Sequence, residues 1–142
     1  MDNIVTNKKR LSMVSIDVTV EEIREMNLKQ RLKEAMKNAW TPGYGLAAIQ
    51  IDVPVNYAWF HYLGKEYELI NPKITMEHGR QTIYREGCLS IPGKYINTVR
   101  AYKIEYMSNG KKYRAKGTKA AIIQHEIDHM FGILNTEREM GK

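Results

Sequence analysis

A His-Glu-x-x-His motif lies in the segment QHEIDHMFGILN, residues 124–135, and constrains this chain more than any other feature. On an α-helix, His125 and His129 lie on one face one turn apart, so both imidazoles can reach a single metal ion. Glu126 lies beside them, where it can act as a general base without binding the metal. The motif therefore predicts a helix that supplies two ligands of a metal site.

The helix around this motif is apolar on nearly every side. We predict that Thr118 is its N-cap and that Gly132 is its C′ residue. The apolar residues between them are Ala120, Ala121, Ile122, Ile123, Ile127, Met130 and Phe131. A helix without a polar face is buried, and its histidines and acids, including Asp128, would be costly there without a metal or polar partners. We therefore favour a metal site over a chance motif on a surface helix.

The third ligand decides the class of enzyme. Metzincin proteases place a third histidine where this chain has Asn135, and asparagine is a poor zinc ligand. Thermolysin-type proteases use a downstream glutamate, and only Glu137 and Glu139 remain in a short tail. The third ligand is therefore expected upstream, where Cys88 in REGCLSIPG, residues 85–93, could offer a thiolate. A lone cysteine is also commonly a small buried apolar residue, so composition leaves both roles open.

The rest of the chain predicts an α+β fold. A capping box at Thr19 and Glu22 begins a helix over about residues 20–38, interrupted near Asn27. Runs at 55–62 and 65–72 are rich in aromatic and β-branched residues and predict two strands joined by a Leu-Gly turn. A further alternating strand is followed by a tight Asn-Gly turn and a return strand. We expect antiparallel or mixed sheets around the central buried helix, with an N-terminal helix, in one domain spanning 1–142.

The composition restricts the partners and the compartment. The net charge of +6 weakly favours acidic surroundings such as ribosomal RNA. Basic residues are scattered apart from groups at 8–10 and 111–114, and we interpret them as a solvated surface rather than a dedicated nucleic-acid site. The sequence contains no apolar run of membrane-spanning length and no secretory or transit signal, so we expect a cytoplasmic protein.

Three separated segments resemble the three signature motifs of the peptide deformylase family. They are GYGLAAIQ at 43–50, EGCLS at 86–90 and QHEIDH at 124–129, and their order and spacing agree with the family. The resemblance is clearest from 43 to 134. It implies a metal-dependent hydrolase that removes the N-formyl group from nascent polypeptides beginning with formylmethionine and releases formate.

The resemblance also implies a role for each matching position. The implied metal ligands are Cys88, His125 and His129. Glu126 would be the general acid/base, while Gln50 and the backbone N–H of Leu89 would hold the developing oxyanion. The residues implied to bind the peptide backbone are Tyr44, Gly45 and Gly87. The residues implied to line the methionine pocket are Tyr44, Tyr84, Ala121 and Ile122. Gly43 and Gly45 would permit positive φ and the close approach of a substrate strand.

One divalent metal ion is the expected cofactor. A Cys-His-His set with an open position indicates catalytic zinc on chemical grounds, whereas the resemblance implies Fe²⁺ in the cell, with Zn²⁺, Ni²⁺ or Co²⁺ able to bind. The implied partners are N-formylmethionyl nascent peptides, with transient ribosome contact as a further candidate. No membrane and no specific DNA is implied, and we expect a monomer, in the host cytoplasm if the protein is phage-encoded.

Two departures from the family pattern concern the surroundings of the site. The chain ends soon after the metal helix, as in deformylases carried by bacteriophages. Many bacterial relatives instead continue into a further helix that is implicated in ribosome docking. Tyr95 stands where many relatives have arginine, while Arg100 is kept. We hypothesise that Arg100 pairs with Glu86 and fixes the Cys88 loop; the alternative is two surface charges.

Two other functions compete with deformylation. A metallopeptidase with a similar helix is one, and Asn135 together with Cys88 argues against it. An inactive relative that binds formylated N-termini or ribosomal RNA is the other. Glu126 and Gln50 accompany a complete ligand set, and this argues against inactivity.

Overall fold

The computed structural model describes residues 2–141, which contain two three-stranded antiparallel sheets, four α-helices and two short 3₁₀ helices. The helices are α1 (Lys8–Leu11), α2 (Val20–Glu25), α3 (Leu28–Lys37) and α4 (Gly117–Met130). The strands are β1 (Gly45–Ala47), β2 (Tyr57–Tyr62), β3 (Lys65–Ile70), β4 (Lys73–Cys88), β5 (Ile91–Ser108) and β6 (Lys111–Lys116). This architecture confirms the predicted α+β class, and both sheets prove to be antiparallel.

The first sheet has the order β1-β2-β3, so β1 lies at one edge. The first four residues of β2 are all buried, because α3 packs on one face and α4 on the other. Leu63 and Gly64 both have positive φ, 50° and 79°, as the tight turns that match the twist of a hairpin require. The predicted β2–β3 hairpin is therefore confirmed.

The second sheet has the order β4-β5-β6, so β4 and β6 are its edges. Ile104 and Tyr106 of β5 point inward and are buried in a core shared with Ile123 of α4. The predicted strand and its Asn-Gly turn are confirmed, since β5 and β6 are joined by Asn109 and Gly110 with φ of 50° and 76°. Most of the long strand β4 was not predicted, because only its last residue is buried and the sequence of 73–84 has no sustained apolar alternation.

Helix α4 lies between the two sheets and contacts strands of both. Ten of its fourteen residues are buried, which confirms the prediction of a central buried helix. The predicted N-cap is wrong: Lys116 occupies that position, and Gly117 at φ 64° turns the chain directly from β6 into the helix. Gly132 is confirmed as the C′ residue at φ 76°, and a Cβ on it would lie 2.3 Å from the carbonyl oxygen of Ser12.

The N-terminal helical region is divided where the sequence analysis expected. Asn27 adopts φ 52° and separates α2 from α3, and the Thr19–Glu22 capping box is formed. Leu28 and Leu32 of α3 are fully buried against the first sheet. The short helix α1 was not predicted. Within 2–141, no helix is both long and apolar enough to cross a bilayer.

Candidate active site

Three ligand atoms from two elements meet at one point. Cys88 ends β4 just before the turn into β5, and His125 and His129 lie on successive turns of α4. Cys88 Sγ lies 3.5 Å from His129 Nε2, which lies 3.2 Å from His125 Nε2. A tetrahedral zinc ion with ordinary bond lengths holds sulfur and nitrogen about 3.6 Å apart and two nitrogens about 3.3 Å apart. These two separations match one ion, and all three ligand atoms lie within 4.8 Å of one another.

His125 is oriented by a carboxylate. Its Nδ1–H donates to Glu86 Oε1 at 2.9 Å, so the lone pair of Nε2 faces the other two ligand atoms. Metal-binding histidines almost always make such a bond through the nitrogen that does not bind the ion. The sequence analysis paired Glu86 only with an arginine and missed this contact, because no spacing rule links β4 to α4.

His129 is fully buried and suited to bind as a neutral imidazole. Burial lowers the pKa of His129 well below its ordinary value. A metal ligand must be deprotonated. A site that disfavours the imidazolium form therefore reduces the competition of protons with the metal ion for this nitrogen. The Nδ1 atom of His129 is buried without a hydrogen-bond partner among the described residues.

A series of linked ion pairs lies next to the ligands and holds β4, β5 and α4 together. Arg100, only 4% exposed, donates to both oxygens of Glu86 and, at 2.9 Å, to Asp128 on α4. Arg138 donates to both oxygens of Asp128 from the C-terminal segment. Burial alone would raise the pKa of Glu86, but hydrogen bonds from His125 and Arg100 outweigh it and bring the pKa to about 2. The geometry bears out the hypothesised Arg100–Glu86 pair; Asp128 and Arg138 were missed as its extension.

Gln50 reaches the site from a short 3₁₀ helix, Ala48–Ile51, that follows β1. Its Oε1 accepts the backbone N–H of Ala47 at 2.9 Å, which fixes the orientation of the amide. Its Nε2 donates to Ser90 Oγ at 3.0 Å and lies 3.8 Å from Cys88 Sγ. The amide therefore presents a preorganised donor beside the ligand cluster.

Glu126 is a buried carboxyl group without a fixed partner. It is 4% exposed, and its Oε1 has no hydrogen-bond partner among the described residues. Burial disfavours the charged form and raises the pKa of Glu126 to about 7. A group with this pKa can both accept and return a proton at neutral pH.

The cluster opens into a cavity of about 440 Å³. The predicted site residues that line it are Tyr44, Gly45, Gln50, Tyr84, Gly87, Cys88, Leu89, Ala121, Ile122, His125 and Glu126. His129 lies behind them, with no exposed surface. Gly43, expected beside the substrate, also lines the cavity. The lining residues that the sequence analysis did not assign to the site are Thr41, Pro42, Ile83, Arg85, Glu86, Tyr95 and Thr118.

Two sheet edges border this cavity, since β1 is an edge of the first sheet and β4 an edge of the second. The expected positive φ of Gly43 and Gly45 is wrong, because neither residue has it. Contact explains Gly45 instead, because a Cβ on it would lie 2.5 Å from Phe60 Cβ of the neighbouring strand. A Cβ on Gly87 would lie 2.8 Å from the ring of Tyr95. These glycines are required by close packing of the protein's own strands.

An aromatic contact joins the two sides of the cavity mouth. The rings of Trp40 and Tyr95 meet edge to face with centroids 5.7 Å apart. Trp40 Nε1 donates to the carbonyl oxygen of Leu89 at 3.3 Å, and the Tyr95 hydroxyl lies 3.3 Å from Thr41 Oγ1. The α3–β1 loop is thereby tied to the β4–β5 hairpin. Only Tyr95 stood out in the sequence, as a departure from the family pattern.

Comparison with known proteins agrees with this geometry. A peptide deformylase of Prochlorococcus marinus (strain MIT 9515) is 34% identical, over 99% of this chain and 70% of the relative. A second, from Rhodopseudomonas palustris (strain TIE-1), is 38% identical over 92% and 81%.

Solved structures agree over the whole fold. A peptide deformylase from Synechococcus elongatus, solved in complex with actinonin, has a TM-score of 0.86 at 30% identity and covers 100% of this chain and 80% of that one. A probable peptide deformylase from Synechococcus phage S-SSM7 has a TM-score of 0.85 at 29% identity, with 97% and 99% covered. The family model for polypeptide deformylase matches residues 1–141. The chain belongs to the polypeptide deformylase family.

Proposed function

We propose that this protein is a metal-dependent hydrolase that removes the formyl group from the N-terminal formylmethionine of nascent polypeptides and releases formate. The observation that carries the proposal is the convergence of Cys88 Sγ and two imidazole Nε2 atoms, all within 4.8 Å of one another, beside a cavity. The free carboxyl of Glu126 at the same cavity adds a group for proton transfer.

Cys88, His125 and His129 would hold one divalent ion. Such an ion supplies Lewis-acid activation of a carbonyl group and of water at neutral pH. We propose Fe²⁺ as the ion in the cell, with Zn²⁺, Ni²⁺ or Co²⁺ able to use the same ligands. The sulfur and nitrogen donors suit all of these ions better than they suit Mg²⁺ or Ca²⁺.

Glu126 is the proton carrier in this proposal. With a pKa of about 7, it takes a proton from the attacking water and returns it to the nitrogen of the leaving peptide. Gln50 Nε2 and the backbone N–H of Leu89 would stabilise the negative oxygen that develops on the formyl carbon. Each preorganised donor of this kind contributes on the order of 3 kcal/mol to transition-state stabilisation.

The substrate would enter as an extended strand between β1 and β4. Backbone groups of Tyr44, Gly45 and Gly87 are our candidates for its partners, because an exposed sheet edge offers unpaired N–H and C=O groups. The methionine side chain would lie against Tyr44, Tyr84, Ala121 and Ile122, which line the same cavity. The formyl carbon then faces Glu126 at the inner end of the cavity.

We place the reaction in the cytoplasm, with residues 1–142 acting as one catalytic domain. The only cysteine in the sequence is Cys88, and the cytoplasm keeps such an unpaired thiol reduced and able to bind a metal. Nascent peptides are the proposed substrates, so transient contact with the ribosome is part of the proposal.

Formate release from formyl-Met-Ala-Ser by anaerobically purified, Fe²⁺-loaded protein tests the proposal. We expect turnover by the wild type and near-complete loss in Cys88→Ala, which removes one ligand. Cleavage of an internal peptide bond without formate would identify a metallopeptidase instead. Tight binding of the formylated peptide without turnover would identify an inactive relative.

A further inference from the structure

The second sheet has an outer face, on the side opposite to the one that packs against α4. Residues directly opposite each other in antiparallel strands share a face, so the register identifies its members. We call this set the outer sheet face. It consists of Lys73, Met76 and His78 on β4, Lys103, Glu105 and Met107 on β5, and Lys112, Arg114 and Lys116 on β6.

The outer sheet face is strongly basic. Its five cations and one carboxylate give a net charge of +4, whereas the whole chain carries +6. All five cations are exposed. The single carboxylate, Glu105, is occupied by a hydrogen bond with His78 on the neighbouring strand. Two thirds of the net charge therefore lie on nine residues of one surface.

Protection of a sheet edge accounts for only part of this charge. Lysines on an edge strand block pairing with other chains, and β6 is an edge. Lys103, however, lies on the central strand β5, directly opposite Lys116. Like charges in that position destabilise a sheet. The fold retains an unfavourable pair where edge protection requires none, which indicates a function for the positive potential.

We propose, in place of the solvated surface that the sequence suggested for Lys112 and Arg114, that the outer sheet face binds the phosphate backbone of structured RNA. Four of its five cations are lysines, which bind phosphate as point charges and are depleted from protein–protein interfaces. The face carries no Trp, Tyr or Phe, the residues that anchor a protein at a membrane interface. It extends about 10 Å across three strands and about 14 Å along them, enough to contact several phosphates.

The choice of RNA over other polyanions rests on the proposed function. Nascent peptides are made on the ribosome, which is rich in RNA, so an enzyme that acts on them benefits from affinity for RNA phosphate. The active-site cavity is lined by β4 residues 83–88, at the other end of that strand from Lys73 and His78. RNA on the outer sheet face would therefore leave the cavity mouth open.

Binding of the metal-loaded full chain to a fluorescent RNA hairpin of about 16 base pairs tests the proposal. The test variant is Lys103→Gln/Lys112→Gln/Lys116→Gln. The matched control, Lys9→Gln/Lys29→Gln/Lys37→Gln, removes the same charge from exposed helical positions. At low salt we expect at least tenfold weaker binding by the test variant and less than twofold change in the control. The slope of log K against log[salt] should fall by about 2 to 3 in the test variant, because each phosphate that a lysine neutralises adds about 0.9 to that slope.

Two results would overturn the proposal. Equal weakening in both triple variants would show that net charge alone, rather than this face, attracts RNA. Stronger binding to vesicles of phosphatidylglycerol than to the hairpin, abolished in the test variant, would assign the face to a membrane. Formate release from formyl-Met-Ala-Ser should be equal in all three proteins, which separates a failure of RNA binding from a failure of the proposed chemistry.

Discussion

The ion pairs around Arg100 and the outer sheet face are both rich in charge, but the charges are balanced in the first region and unbalanced in the second. Arg100 is 4% exposed and is bonded to Glu86 and Asp128, so each buried charge has a partner. On the outer sheet face, cations outnumber carboxylates five to one. Water stabilises exposed charges at little cost, whereas a buried charge without a partner costs several kcal/mol. Excess charge can therefore accumulate only where water, or a charged ligand, can reach it.

Glu126 departs from this rule, since it is a buried carboxyl group with one oxygen that has no hydrogen-bond partner within residues 2–141. Its replacement should have the largest effect. We expect Glu126→Gln to lower kcat by about 10² to 10⁴, because an amide cannot carry the proton. Metal affinity and thermal stability should stay the same or rise, because the amide has no charged form to desolvate. Steady-state formate release and calorimetry provide the measurements. A kcat within tenfold of wild type would contradict the assigned role.

Removal of the central arginine tests the paired region. Arg100→Leu leaves Glu86 and Asp128 buried without their shared partner, and we expect a loss of about 3–5 kcal/mol in the free energy of unfolding. Metal affinity should also fall by about 10- to 100-fold, because Glu86 orients His125. Urea unfolding and competition with a chelator measure the two effects.

The matched control is Arg10→Leu, which breaks an exposed ion pair with Asp52. Exposed pairs contribute about 0–1 kcal/mol. Similar losses in Arg100→Leu and Arg10→Leu would mean that burial does not distinguish the two kinds of pair.

Alkaline pH tests the inner face of the second sheet. Burial, with a smaller effect of Tyr113, raises the pKa of Tyr106 to about 12. In the unfolded chain a tyrosine ionises near pH 10, so above that pH the folded state binds more protons than the unfolded state. Stability should therefore fall as pH rises from about 10 to 12. Unfolding of Tyr106→Phe, measured over the same range, should show a shallower decline; equal slopes would remove Tyr106 as the cause.

The smallest effect is expected on the outer sheet face itself. Lys103→Gln removes the repulsion from Lys116, and we expect stability to rise by about 0.2–0.5 kcal/mol at low salt. The gain should vanish at high salt, where exposed charges are screened. Urea unfolding at two salt concentrations measures the change. A stability loss of more than about 1 kcal/mol, beyond the range of such cross-strand pairs, would mean that the lysine contributes to the fold.

Local spacing made part of the site predictable. One helical turn separates His125 from His129, so a single segment predicts two ligands and their common face. Cys88 was an open candidate from the residues alone, and the resemblance was needed to select it. The contact of Glu86 with His125 depends on how β4 packs against α4, which no local pattern encodes.

The fold also has parts that local sequence patterns predict and parts that they do not. The β2–β3 hairpin was predictable because its strands are rich in aromatic and β-branched residues and its turn has a sequence signature. Strand β4 was not, because it is polar and exposed along most of its length and is held by its pairing with β5. The outer sheet face was equally hidden, because pairing brings Lys73 and Lys116 onto one surface from distant parts of the sequence.

The two sheet edges that border the cavity have a consequence for the range of sequences the enzyme can process. An edge recognises the repeating amide groups of a guest chain, which every peptide shares. In the proposed binding mode, discrimination between substrates would then depend on the one side chain that enters the pocket. If the proposed substrates bind in this way, the cavity accepts many different sequences beyond the first residue of each chain.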